Sequence, residues 1–438
     1  GTLTYTYDNA SRRATMTVAG QPTVTYTYDN ANRLTQITQG SSLVTIGYDD
    51  ADRRASLTLP NGNSVVYAYN AASELLSLTY KQGATVIGDL TYTYDAAGNR
   101  IKQGGAFARI TIPPALATAS YNVNNQQTTF GTNTLTYDFN GNLQTVTDAG
   151  GTATYSWNAR NQLTGISSTG FAASFSYDSF GRRTGKIIQG TTTNFVYDRL
   201  NPVQEKAGAT VTANLLTGLG IDEFLTRTDG AGTRGLLTDA LGSTVALGDG
   251  TGTIQTQYTY EPFGYASQTG AANTNSYKYT GREDDGTGLY YYRARYYHPR
   301  LQRFLSEDPI GFESGSFNLF SYVRANPISF TDPLGLQDQW HGHNDPAFRD
   351  WVHQYKQDLK YPGDKNFSKQ DLNELKQQWI DEEQPRGKGG KSGKGGQWRG
   401  MRCLWWFNLI GIAIDAYEAM QQYEKCKNDP CFCDENCS

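Results

Sequence analysis

A Tyr-x-Tyr-Asp tetrapeptide returns at a nearly fixed step along the first half of this chain, and a periodic sequence has few folds open to it. Tyr5-Thr6-Tyr7-Asp8 is followed by Tyr26-Thr27-Tyr28-Asp29, Gly47-Tyr48-Asp49, Tyr67-Ala68-Tyr69-Asn70 and Tyr92-Thr93-Tyr94-Asp95. Looser copies stand at Tyr121-Asn122, Tyr137-Asp138, Trp157-Asn158, Tyr177-Asp178 and Tyr197-Asp198. The step between the Asp/Asn positions is mostly 20 or 21 residues. Within a copy, alternating aromatic and Thr residues give a strand one apolar and one polar face. Asp or Asn then ends the strand and can close a turn on the backbone. Gly or a small residue, Arg or Asn, and Leu follow, as in Asp178-Ser179-Phe180-Gly181-Arg182-Arg183. Two short strands and two turns fill such a step, so each copy reads as a β-hairpin. A ribbon of hairpins cannot bury its apolar face alone, and the sheet must curl on itself or wrap something. A flat solenoid is the alternative; a propeller blade needs about 40 residues, twice the step.

Composition agrees with a β-rich chain. Tyr (30) and Gly (47) are over-used, Met (3) and His (4) are scarce. Tyr and Thr favour strands and Gly favours turns. Charged residues make up 18% with a net charge of −4, which argues against a chain built around nucleic acid. All five Cys lie after position 400, so the rest of the chain needs no disulfide. Gly1 falls inside a repeat, and the expectation is that an N-terminal targeting region precedes it.

Residues 277–336 carry the chemistry. The run includes Tyr277-Lys278-Tyr279-Thr280-Gly281-Arg282-Glu283, Gly288-Leu289-Tyr290-Tyr291-Tyr292-Arg293-Ala294-Arg295-Tyr296-Tyr297 and Arg303-Phe304-Leu305-Ser306-Glu307-Asp308-Pro309-Ile310-Gly311. It closes on Asp332-Pro333-Leu334-Gly335-Leu336. Two Asp-Pro-x-Gly units thus stand 24 residues apart, each holding its Asp at a rigid corner. Two carboxylates brought together share a proton, as in aspartic proteases, and can activate a water and protonate a scissile amide. Arg295 or Arg293 could orient a carboxylate or polarise the carbonyl. A Ser306–His298 nucleophile pair lacks an orienting third member. The bland reading makes both Asp-Pro units turn formers only.

The repeats resemble the YD repeats of RHS proteins, Tc-toxin C subunits and teneurins over roughly residues 1–336, and residues 277–336 resemble the RHS-associated core nearly end to end. The resemblance implies a mainly β fold, an antiparallel sheet curled into a hollow spiral shell (a cocoon), with a small, mainly α C-terminal cargo domain. It divides the chain into a repeat shell (1–200), an irregular shell continuation (201–276), a core with an autoproteolytic site (277–336) and a C-terminal toxin domain (337–438). Carried onto this sequence, cleavage falls between Leu336 and Gln337, with Asp308 and Asp332 as the acids, Arg295 as a third member and no cofactor. The resemblance further implies a secreted effector delivered to a target cell. Type VI secretion, interbacterial competition and a partner immunity protein belong to that expectation.

After Leu336 the Tyr/Thr alternation stops, and Lys, Gln and Trp rise. Three helices are expected. Pro346 stands in the first turn of one, which carries Phe348, Trp351, Val352, Tyr355 and Leu359 on one face. A second starts at a capping-box-like Ser368-Lys369-Gln370-Asp371. The third covers 402–424; its apolar stretch is short of the about 20 residues a bilayer requires, so a core helix is favoured over a pore former. His341, His343 and His353 with Asp345 or Asp350 are candidates for a nuclease acid–base site, with or without a metal. A Gly-rich basic run over 386–402 would either touch RNA or DNA phosphates or remain a solvated linker. Cys426, Cys431, Cys433 and Cys437 could bind Zn or form two disulfides, and their spacing leans towards disulfides. A surface adhesion protein is the competing reading of the whole chain.

Overall fold

The computed structural model describes residues 2–340 except Ala97, with Gln339 and Trp340 described by their backbone only. The predicted hairpins are present. Ten strands from Leu3–Tyr7 to Arg100–Gly104 form one antiparallel sheet, and sixteen from Ala119–Tyr121 to Ala266–Gly270 form a second. Among the described residues each strand's ladder partners in both sheets are its neighbours in sequence, apart from an isolated bridge between Ile110 and Tyr260, and neither strand order closes on itself.

Each repeat is held by contacts its own sequence supplies. Asp29 Oδ1 accepts the N–H groups of Ala31 and Arg33, both at 2.9 Å, and Oδ2 accepts Arg33 Nε at 2.7 Å. Between them Asn32 takes a left-handed conformation (φ +62), which Asn tolerates well. The tyrosine before the Asp sits at a register shift of the ladder, as at Thr27/Tyr28 and Ser176/Tyr177. Such a bulge turns the side chain away from the regular alternation. Its hydroxyl reaches back to the preceding hairpin: Tyr28 donates to the Arg13 carbonyl at 3.0 Å, Tyr177 to Leu163 at 2.6 Å and Tyr197 to Arg183 at 2.9 Å. Trp157 makes the same bond through Nε1 to Leu143, at 2.8 Å. The guanidinium of Arg12 also stacks on the next repeat's Tyr28, 4.6 Å from the ring centre. The Tyr-Asp pair thus ties each hairpin to the one before it.

The first sheet runs beside the second. Tyr5 donates to Asp198 at 2.9 Å, Asn61 to the Asp249 carbonyl at 2.9 Å and Asn63 to the Gly252 carbonyl at 2.8 Å. These partners are 193, 188 and 189 residues apart, so the chain returns to the same place after a nearly constant length. A curled sheet that has completed one circuit produces that offset. The seam buries Met16, Ile37, Val44, Leu78 and Tyr80 with Val203, Leu216, Leu237 and Val245.

Two features depart from the expected array. The repeats do not run unbroken from 1 to 200: residues 105–118 leave the first sheet before the second begins. Pro113-Pro114 cannot donate to a ladder, and Phe107 buries against Tyr80 with ring centres 5.2 Å apart. Residues 201–270, irregular in sequence, form seven regular strands of the second sheet. There the Tyr-Asp mark is gone, but apolar residues such as Leu215, Leu236 and Leu247 remain buried.

Residues 277–331 pack onto the second sheet. Leu289, Tyr291, Tyr296 and Leu305 cover Leu135, Leu143, Leu163, Ile166 and Phe175. Their other side forms an aromatic cluster of Tyr279, Tyr290, Tyr292, Tyr297, Phe304, Tyr322 and Phe330. An ionic knot fastens the two layers. Arg183, fully buried, pairs with Glu283 at 2.5 Å and with Asp285, while Lys186 pairs with both acids at 2.7 and 3.0 Å. The Tyr291 ring lies 4.2 Å from the Arg183 guanidinium. Buried charges are tolerated when paired with opposite charges in this way.

Candidate functional site

Asp308 and Asp332 each open the same tight turn. The Asp308 carbonyl accepts the Gly311 N–H at 2.9 Å, and the Asp332 carbonyl accepts the Gly335 N–H at 3.3 Å. Both glycines have positive φ (+57 and +69). At Gly335 a side chain is also sterically impossible, because a Cβ would stand 2.3 Å from the Tyr292 carbonyl oxygen.

The two turns meet on Arg295, in the strand Arg295–His298. Its Nη2 lies 2.8 Å from Asp308 and 3.4 Å from Asp332, so one guanidinium nitrogen faces both acids. Nη1 donates to the Leu319 carbonyl at 2.9 Å, and Nε donates to the Gly335 carbonyl. The guanidinium also lies over the Phe304 ring, 3.7 Å from its centre. All three side chains are buried: Arg295 is 3% exposed, Asp308 7% and Asp332 2%.

Asp332 turns its other oxygen towards the loop that follows. Oδ1 accepts the Leu336 N–H at 2.9 Å and the Gln337 N–H at 3.2 Å. The nitrogen of the Leu336–Gln337 peptide is therefore in direct contact with an aspartate. Burial outweighs Arg295 and these N–H donors and pushes the Asp332 carboxyl up to about 6. Burial also raises Asp308, against the pull of Arg295. Arg295 is itself lowered by burial, but a guanidinium keeps its charge.

Arg293, two residues before Arg295, takes a different task. It donates to the Pro333 carbonyl and pairs with Asp222 at 2.7 Å, and Arg282 pairs with the same Asp222 at 2.5 Å. The Ala294 N–H adds a bond to the Leu334 carbonyl at 3.1 Å. The carbonyls of residues 333–335 thus each accept a hydrogen bond, from the Arg293 side chain, the Ala294 N–H and the Arg295 side chain. Leu334 and Leu336 border a cavity of about 310 Å³ whose wall includes Tyr197, Pro202, Phe224 and Tyr277. His298 uses Nδ1 to accept the Leu301 N–H at 3.2 Å. Asp222, Leu319 and Ala294 were not foreseen; an arginine-rich strand signals buried acids but not which ones. His341, His343, Asp345, Asp350, His353, Cys426, Cys431, Cys433, Cys437, the three expected helices and the basic run lie outside the described residues.

Fold and site together define a class: a coil of repeat hairpins closed by a C-terminal core that carries a paired-acid loop. The Teneurin YD-shell family model matches residues 1–85 and 61–332, and the chain belongs to that family. Toxin subunit YenC1 of Yersinia entomophaga is 46% identical over 101 residues, covering 22% of this chain and 10% of that protein. The tRNA(Glu)-specific nuclease WapA of Bacillus subtilis subsp. natto is 38% identical over 104 residues, covering 22% of this chain and 4% of that protein. The chain thus spans a tenth or less of these curated relatives. Among solved structures, TcdB2–TccC3 superposes with a TM-score of 0.58 at 22% identity, covering 76% of this chain and 22% of that one, a likeness of fold.

Proposed function

We propose that residues 1–336 form a shell that encloses residues 337–438 as a toxin cargo, and that the shell cuts the chain once between Leu336 and Gln337. The observation that carries this reading is the contact between Asp332 Oδ1 and the Gln337 N–H, with Asp308 held on the same arginine. Asp308, ionised, takes a proton from a water as its oxygen attacks the Leu336 carbonyl carbon. Asp332, protonated, gives its proton to the Gln337 nitrogen as the C–N bond breaks. The products are a new carboxyl at Leu336 and a new amine at Gln337. Arg295 fixes both acids and stays charged throughout. Because the reaction is intramolecular, a modest acid–base pair is enough for one turnover.

Relatives named as a toxin subunit and a tRNA nuclease support a secreted, delivered effector whose cargo is an enzyme, a nuclease first among the candidates. The cargo's own activity is independent of the shell that holds it. Intact mass after denaturation tests the cut. Wild type is expected as fragments 1–336 and 337–438, while Asp308→Asn and Asp332→Asn remain whole. An uncut wild type would favour an adhesion role. Released 337–438 incubated with RNA, DNA and dye-loaded vesicles separates a nuclease from a pore former.

A further inference from the structure

Three successive non-glycine residues, Val323, Arg324 and Ala325, have positive φ angles of +42, +53 and +59. L-residues avoid this region, and a run of them persists only where the surroundings impose it. Tyr322 and Val323 supply the anchor, 1% and 3% exposed in the aromatic cluster. The turn delivers Arg324 to Asp338, with Nη2 3.1 Å from Oδ1. Asp338 is the second residue beyond the Leu336–Gln337 bond, and its side chain is only 8% exposed. Gly315 leaves room for this arm: a Cβ there would stand 3.2 Å from Arg324 Nη2.

The same stretch is held by backbone pairing. Strand Phe330–Thr331 pairs antiparallel with Gln339–Trp340, so residues 332–338 form the loop of a short hairpin. The carbonyl side of that loop is gripped at Pro333, Leu334 and Gly335 by Arg293, Ala294 and Arg295. On the amine side the grip is the two-residue ladder, the Gln337 N–H bond to Asp332 Oδ1 and the Arg324–Asp338 pair. A ladder this short holds register weakly, and outside the acid pair itself the Arg324–Asp338 ion pair is the side-chain contact that reinforces it.

We propose that Arg324 is a positioning residue for the cut, and that an acidic side chain at position 338 is the feature of the cargo it selects. This rests on the self-cleavage reading above. With Asp338 held, the Gln337 nitrogen stays within reach of Asp332; without it, the amine half of the loop swings and the proton transfer loses its geometry. Small misplacements of a reacting group cost on the order of tenfold to a hundredfold in rate.

The test uses the full chain made by cell-free translation, with a pulse–chase that follows fragment 1–336. Arg324→Ala and Asp338→Ala should each slow the cut by about tenfold or more, and the double variant should be no slower than either single one. The swapped pair, Arg324→Asp with Asp338→Arg, should recover most of the rate, which a purely structural contribution of either residue would not produce. Melting temperatures measured in an Asp332→Asn background check folding. If Arg324→Ala fails to fold, Asp338→Ala and the swap decide. Wild-type rates in both single variants would overturn the proposal, as would additive losses without recovery in the swap. A wild type that is not cut, or an Asp332→Asn chain that is, would instead remove the self-cleavage reading itself.

Discussion

The two carboxylate oxygens of Asp332 face different partners, and its behaviour with pH follows from that. Oδ2 faces Arg295 while Oδ1 meets the Leu336 and Gln337 N–H groups, yet burial still lifts the carboxyl to about 6. A proton on Asp332 is therefore present below that pH and lost above it. If this proton goes to the Gln337 nitrogen, cleavage should slow about tenfold per pH unit on the alkaline side. Asp308 must be ionised to act as base, and its carboxyl is raised too, so the acid side should fall as well. The expected profile is a bell with its alkaline limb beginning near 6, its two limbs belonging to the pair. Rates of cutting in freshly translated chain across this range would show it. A rate that climbs steadily through neutrality would remove Asp332 as the proton donor.

At the scale of single elements, turns decide how the site is presented. The Asp332–Gly335 turn admits no side chain at Gly335, where φ is positive and the Tyr292 carbonyl is in the way. Gly335→Ala should displace the loop from Arg295 and abolish cutting, with the intact chain seen by mass. The left-handed Val323–Ala325 turn stores strain that a glycine would release. Ala325→Gly should stabilise the chain by about 1 kcal/mol and raise the melting temperature, since Ala325 sits at φ +59. In the repeats, Tyr177→Phe removes a hydroxyl bonded to the Leu163 carbonyl at 2.6 Å. The expected loss is about 1 kcal/mol in denaturant titration, with the hairpin otherwise intact.

For the whole molecule, the important joint is between the second sheet and the core that packs on it. Apolar contacts through Leu163, Phe175, Tyr291 and Tyr296 provide the area, and the Arg183 knot fixes the register of one layer on the other. Arg183→Ala would leave Glu283 and Asp285 buried beside each other with only Lys186 between them. The expected cost is about 3–5 kcal/mol, visible in chemical denaturation. Cutting should fall with it, because Glu283 stands in the first strand, Glu283–Asp284, of the same small sheet that carries Arg295. Arg183→Ala that unfolds at the wild-type denaturant concentration would show that apolar packing alone sets the register.

The hairpin repeats, their turns and the two Asp-Pro-x-Gly corners were legible in the chain because their partners lie close by. Asp29 meets Arg33 four residues on, and Tyr177 meets Leu163 fourteen residues back. Local spacing encodes such contacts directly, and the long signature at 277–336 carries both Asp-Pro corners. The break at 105–118 was less visible: Pro113-Pro114 hints at it, but the burial of Phe107 against Tyr80 depends on where the first sheet has curled. The same holds for the seam, in which Asn63 finds Gly252 after 189 residues. At the site the trio of Arg295, Asp308 and Asp332 is expected from the resemblance. The packing of the core sets how Arg295 meets Asp332 across 37 residues, and the left-handed 323–325 turn sets how Arg324 meets Asp338. Strand twist and curl add up over many hairpins, and their sum, rather than any local pattern, decides which distant charges meet. Sequence alone therefore determined the repeating unit and the candidate groups for the cut, and tertiary structure decided the contacts through which those groups face one another.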